Sequence, residues 1–94
     1  MTHVTAHMDP RAIAQLRTDL GLSQVQFAQL FGTHFMTVSR WERGLLVPND
    51  YQQALLDQFR QTADQKKVKE REELGKILVG AGVIAALIWL LVAR

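Results

Sequence analysis

The C-terminal end of the chain contains a long apolar run, and this run limits how the rest of the chain can fold. From Ile77 to Ala93, 17 consecutive residues carry no polar side chain. A protein of 94 residues has too small an interior to bury such a run on all sides. The run therefore predicts a helix in lipid, and it leaves about 60 to 70 residues for a small soluble domain.

The length and composition of the run are typical of a single transmembrane helix at residues 77–93. As a helix these residues extend about 26 Å, close to a hydrocarbon core of about 30 Å. Ten of the 17 are Leu, Ile or Val, each of which favours insertion by about 0.3–0.6 kcal/mol. The alternative is a soluble helix that dimerises or lies in a partner's groove, but such a helix keeps a polar face, which this run lacks.

Basic residues on the N-terminal side of the run predict its orientation. Only Arg94 follows the run, whereas residues 66–76, immediately before it, contain five basic residues: Lys66, Lys67, Lys69, Arg71 and Lys76. By the positive-inside rule, the N-terminal domain then lies in the cytoplasm, with one pass through the inner membrane.

Small residues within the run predict a place where two copies could meet. They are spaced four apart, which lets two transmembrane helices approach closely: Ala81 with Ala85, and Gly82 with Ala86. We expect a homodimer with these residues at its transmembrane face.

Start and stop signals divide the rest of the chain into predicted segments. Residues 1–8 have no apolar period and are expected to form a flexible arm. Asp9 followed by Pro10 begins a first helix that Gly21 ends. Helical spacing of apolar residues continues to the end of a domain at residues 9–60. Residues 61–76 are rich in charge and predict a solvated helical linker.

Two further helices are indicated inside residues 9–60, with a sharp turn between them. Ser23 and Gln26 form a capping box that begins a second helix, and Gly32 suits the turn that follows. A third helix runs from near His34, which serves as its cap, to Arg43. A fourth begins after Pro48, at Asn49 or Asp50, and places Tyr51, Leu55, Leu56 and Phe59 at helical spacing. The predicted fold class is therefore all-α, a bundle of four to five helices with a helix-turn-helix, a helical linker and one transmembrane helix.

Residues 11–59 resemble the Cro and phage-repressor (XRE-type) helix-turn-helix family of bacteria and phages. The matching positions are Leu20, Gly21, Leu22, Ser23, Gln24, Ala28, Gly32, Thr37, Val38, Ser39, Arg40, Trp41, Glu42, Arg43, Gly44 and Pro48. The resemblance implies double-stranded DNA as the partner, with the third helix in the major groove and the second on the backbone.

The resemblance also implies a role for individual residues. Five would face base edges: Phe35, Met36, Thr37, Ser39 and Arg40. Arg40 could donate two hydrogen bonds to a guanine, and Phe35 and Met36 could touch thymine methyl groups. Ser23, Gln24 and Arg43 match positions that bind phosphates. Arg17 and Glu42 match an ion pair that joins the first helix to the third.

Charge and composition leave a second class of function open. Residues 1–60 carry five basic and five acidic side chains, so their attraction to phosphate is modest. Phe35 and Met36 could instead dock a protein partner, as could the linker. The alternative to a membrane-tethered transcriptional regulator is thus a membrane-anchored scaffold, cytoskeletal or antitoxin-like.

The sequence gives no indication of catalysis, a cofactor or a metal site. It contains no cysteine, so thiolate metal ligands and disulfides are excluded. Gly80, Gly82 and Ala85 match a dinucleotide fingerprint formally, but no βαβ unit surrounds them. We therefore expect a protein that is not an enzyme.

Overall fold

The computed structural model describes the backbone of residues 8–92 and the side chains of residues 8–80. The described residues form five α-helices and no strand. The helices are α1 (Pro10–Asp19), α2 (Gln24–Leu30), α3 (Phe35–Glu42), α4 (Asp50–Asp64) and α5 (Val68–Val92). Of the predicted N-terminal arm, all but Met8 lies outside the described residues, and Met8 packs against the hydrophobic core.

The helices begin where the capping signals predict. The Asp9 carboxylate accepts a hydrogen bond of 2.8 Å from the Ala12 N–H at the start of α1. Ser23 and Gln26 exchange hydrogen bonds across the first turn of α2. Asn49 and Gln52 exchange the same two hydrogen bonds at the start of α4. Of the two predicted start positions, Asn49 is therefore the cap and Asp50 the first helical residue. Each cap satisfies backbone N–H groups that have no partner inside the helix.

The core lies between α1, α4 and the α2–α3 pair. Its largest fully buried side chains are Ile13, Leu16, Leu20, Phe27, Leu30, Val38, Trp41, Leu55, Leu56 and Phe59. Of the four residues at helical spacing in α4, Leu55, Leu56 and Phe59 are buried, whereas Tyr51 is exposed. Tyr51 lies in the first turn of α4, one turn before the buried Leu55.

The segment after α4 folds back onto the domain. A turn at residues 65–67 separates α4 from α5, and α5 then packs against α2 and also contacts α1 and α4. Leu74 and Leu78 of α5 join the core, with 9% and 4% of their surface exposed. Leu74 therefore does not belong to a solvated linker, as its charged neighbours predict, but holds α5 against the domain.

Charged side chains add a second connection between α5 and the domain. Arg71 of α5 donates a hydrogen bond of 2.8 Å from Nε to the Ala63 carbonyl, and its Nη1 lies 3.9 Å from Asp19 Oδ2. Arg60 of α4 lies 3.1 Å from the same Asp19 oxygen and 2.7 Å from Asp64 Oδ1. Asp19 therefore links the end of α1 to both α4 and α5.

Gly75 allows α5 to lie directly on the backbone at the end of α1. A Cβ atom at residue 75 would be 2.1 Å from the Leu20 carbonyl oxygen, well inside van der Waals contact. Gly80, in the same helix, has open space around the corresponding position. Only glycine permits the observed approach at residue 75.

Over the described side chains, no helix is both long enough and apolar enough to cross a bilayer. The predicted dimer face at Ala81, Gly82, Ala85 and Ala86 lies outside them.

Gly75→Ala is expected to lower the free energy of unfolding of the full chain by about 1–3 kcal/mol, because the methyl group must push α5 away from Leu20. Gly80→Ala is the matched control and should be neutral or stabilising by up to about 1 kcal/mol, since alanine favours a helix. Urea unfolding followed by circular dichroism compares the two. Equal stability of both variants would contradict the close contact.

Candidate nucleic-acid interface

The turn between α2 and α3 is built from three residues with different tasks. Phe31 ends α2, and Gly32 takes a φ of +61°, a left-handed conformation that favours glycine. The Thr33 N–H then donates to the Ala28 carbonyl at 3.1 Å, which closes the end of α2. The chain reverses sharply and delivers His34 to the start of α3.

Phe31 also fixes the angle between the helices by contacting three other aromatic rings. Its ring centroid lies 5.0 Å from that of Phe27, 5.3 Å from Trp41 and 5.8 Å from Phe59. All three contacts are edge-to-face, which is the favourable geometry for aromatic pairs. Because these rings belong to α2, α3 and α4, the turn residue holds all three helices.

The start of α3 is capped by His34, as the sequence predicts. Its Nδ1 accepts a hydrogen bond of 3.1 Å from the Met36 N–H. The proton of the neutral ring is then on Nε2. The imidazole also lies against the Phe35 ring, with centroids 4.6 Å apart. His34 therefore supports both the first turn of α3 and its first side chain.

A polar network on the inner side of α3 connects it to α1 and α2. Arg17 binds Glu42 through two hydrogen bonds, Nε to Oε2 at 2.6 Å and Nη2 to Oε1 at 3.0 Å. The same guanidinium donates to the Leu22 carbonyl at 3.0 Å, and Gln24 Nε2 donates to Glu42 Oε1 at 3.1 Å. The Glu42 side chain is about nine-tenths buried, so its charge is satisfied inside the domain.

The outer face of α3 carries the side chains that the resemblance assigns to base edges. Phe35 is 40% exposed, and Arg40 is exposed. Met36, Thr37 and Ser39 are half-buried. Within residues 8–80, no ion pair engages Arg40 or Arg43. The face is thus apolar at its N-terminal end and positively charged toward its C-terminal end.

The residues that the resemblance assigns to phosphates differ in their exposure and in the hydrogen bonds that they make within the domain. Arg43 is exposed, and its Nε donates to the Ser39 carbonyl at 3.3 Å. Ser23 is exposed, with its hydroxyl oxygen used as the cap of α2. Gln24 is half-buried, and its amide nitrogen is bound to Glu42. The tertiary structure gives Gln24 a task inside the domain that the sequence analysis does not foresee.

The loop after α3 presents a surface that the sequence analysis also misses. Leu45, Leu46 and Val47 are consecutive and all exposed, immediately after the left-handed Gly44. A run of three apolar residues next to Pro48 could have suggested this, but apolar letters alone do not tell a buried loop from an exposed one.

Replacement of Arg17 by Met is expected to destabilise the domain by about 2–4 kcal/mol, because it leaves the Glu42 carboxylate buried without its partner. The measurement is urea unfolding. Arg43→Met is the control: it makes the same substitution at an exposed arginine and should change stability by less than about 0.5 kcal/mol. A second variant, Arg17→Met with Glu42→Gln, should recover part of the loss because no unpaired charge remains. If the two single variants unfold at the same urea concentration, the ion pair does not stabilise this arrangement.

Comparison with known proteins agrees with this geometry over part of the chain. Residues 13–50, which include most of α1, all of α2 and α3 and the loop up to the start of α4, match a family model described as helix-turn-helix. The family consists of DNA-binding domains that are not enzymes. No curated protein and no solved structure matches the chain. Residues 13–50 are thus similar to helix-turn-helix domains of the XRE type, and the structure places α2, the sharp turn and α3 within them.

Proposed function

We propose that this chain is a sequence-specific DNA-binding regulator that inserts α3 into the major groove and is tethered to the inner membrane by its C-terminal run. The observation that carries the proposal is the sorting of charge on α3. Its acidic residue, Glu42, is turned inward and paired with Arg17, whereas Arg40 and Arg43 are exposed without a counter-charge among the described residues.

This distribution of charge compensates, at α3, for the low net charge of the domain. The five acidic and five basic side chains of residues 1–60 cancel as a sum. Two of the acids, Asp19 and Glu42, lie in ion pairs with arginines of other helices. The local field at α3 is therefore positive even though the domain is neutral, which is what a phosphate-lined groove requires.

The side chains on α3 suggest what the regulator reads. The exposed Arg40 has a guanidinium that can donate two hydrogen bonds to the O6 and N7 atoms of guanine. Phe35 has no hydrogen-bonding group and suits the methyl group of thymine. Ser23, Gln24 and Arg43 flank the helix and would contact the phosphates that position it. A homodimer would place two copies of α3 about 34 Å apart on a palindrome.

The tether rests on the composition of residues 77–93. Their apolar side chains favour lipid, and the preceding lysines and arginines favour a cytoplasmic domain. Attachment to a membrane would confine the protein to DNA near the membrane and raise the effective concentration of one copy for another.

A membrane-anchored scaffold is the competing function, and the exposed Phe35 ring favours it. An aromatic side chain on an outer helix face is a typical anchor for a protein partner. In that case the domain binds no preferred DNA sequence, so the same experiment separates the two functions.

Arg40→Ala is expected to lose about 1–3 kcal/mol of preference for one guanine position in DNA selected from a random library by the full chain, because that base loses its bidentate partner. The control is Arg11→Ala, which removes an exposed positive charge from α1 and should leave the preference unchanged. Quantitative binding to the selected DNA and to its single-base variants, at one salt concentration, measures both. If the native chain selects no sequence, DNA reading is wrong and the scaffold is favoured.

The tether predicts that the full chain stays with membranes after washing with alkaline carbonate. Ile84→Lys should reduce the retained fraction severalfold, since a lysine at the centre of a span costs about 2.5–3.5 kcal/mol. Ala54→Lys, on the exposed side of α4, adds the same charge outside the run and should be retained like the native chain. Release of the native chain into the wash would refute the tether.

A further inference from the structure

Leu78 belongs to two structures at once. It is the second residue of the predicted membrane helix, and it is also buried in the core of the helix-turn-helix domain. Building on the proposed tether, we infer that docking of α5 on the domain and insertion of α5 into a bilayer exclude each other. The helix is then a two-state element that either completes the domain or anchors it.

The docked state is specific. Leu74 and Leu78 are one turn apart on the same side of α5, and both are buried. Between them, Gly75 brings the helix onto the Leu20 carbonyl. One turn before Leu74, Arg71 binds the Ala63 carbonyl and faces Asp19. Hydrophobic contact, close backbone approach and charge therefore all act along one face of α5.

The docked state leaves too little helix to span a membrane. Gly80 is the first residue after the buried Leu78 and the half-buried Val79 that is exposed again. Residues 80–92 extend about 20 Å as a helix, roughly 10 Å less than the hydrocarbon core. A full span needs residues 77–79 in lipid, and α5 continues without a break through them. Because a helix moves as a unit, freeing Leu78 also withdraws Leu74, Gly75 and Arg71 from the domain.

This competition has two consequences that can be measured. The apparent affinity for lipid equals the intrinsic affinity multiplied by the fraction of chains in which α5 is undocked, so a change that weakens docking strengthens insertion. By linkage, insertion removes Leu74 and Leu78 from the core beside α2 and weakens the domain to the same extent. Insertion into the bilayer thus removes the helix that packs against α2, the first helix of the helix-turn-helix.

The native chain has no cysteine, so a single cysteine can carry a fluorophore that reports polarity. Ile77→Cys is suitable because Ile77 is 65% exposed in the docked state and would enter lipid in the inserted state. The labelled full chain is titrated with vesicles of phosphatidylcholine, which are electrically neutral. The half-point of the blue shift gives the lipid concentration at which half of the chains are inserted.

Arg71→Gln and Lys76→Gln form a matched pair in this assay, since each removes one positive charge from α5. Arg71 contacts the domain. Lys76 is exposed, and its ion pair, at 3.9 Å, is with Glu73 of the same helix. We expect Arg71→Gln to insert at about tenfold lower lipid concentration than the native chain. Lys76→Gln should insert like the native chain.

Gly75→Ala and Gly80→Ala repeat the test with uncharged changes, and the first should again lower the half-point. Circular dichroism before lipid is added shows that each variant keeps the helical domain. If all variants insert with the native half-point, the competition is refuted while the tether stands. If neither the native chain nor any variant inserts, the tether itself is refuted, and the competition with it.

Discussion

Phe31 is the side chain on which the arrangement of α2, α3 and α4 depends, because its ring touches one aromatic ring from each of these helices. It also stands at the turn where α2 ends, one residue before the left-handed Gly32. Packing and turn geometry therefore act at the same point of the chain. The direction of α3 relative to α2 and α4 follows from this contact, and so does the orientation of the candidate reading face.

Charge is distributed around that framework so that α3 has a different character on each side. Arg17 and Gln24 engage Glu42 on the inner side, and Arg40 and Arg43 remain on the outer side. A carboxylate next to the reading face would repel phosphate, so its burial against an arginine serves both stability and the proposed binding. The neutral composition of the domain thus conceals a polarised helix.

The position of α5 changes how a tethered regulator of this size can work. A stiff linker would keep the domain and the membrane independent of each other. Here Leu74 and Leu78 are part of the core, so the proposed anchor and the domain share side chains. The proposed competition follows from that sharing, because one residue cannot be buried in the domain and in lipid at the same time.

The sequence by itself determined where α1 to α4 begin. The caps at Asp9, Ser23, His34 and Asn49 act within three residues, so local chemistry is sufficient to predict them. The family resemblance also predicted which residues of α3 form the candidate reading face, and two of them, Phe35 and Arg40, are exposed in the structure. Only the tertiary structure decided that α5 folds back onto the domain, that Gly75 packs against the Leu20 carbonyl and that Gln24 donates a hydrogen bond to Glu42. These contacts join residues far apart in the chain, and a glycine among charged neighbours looks the same whether it lies in a linker or against another backbone.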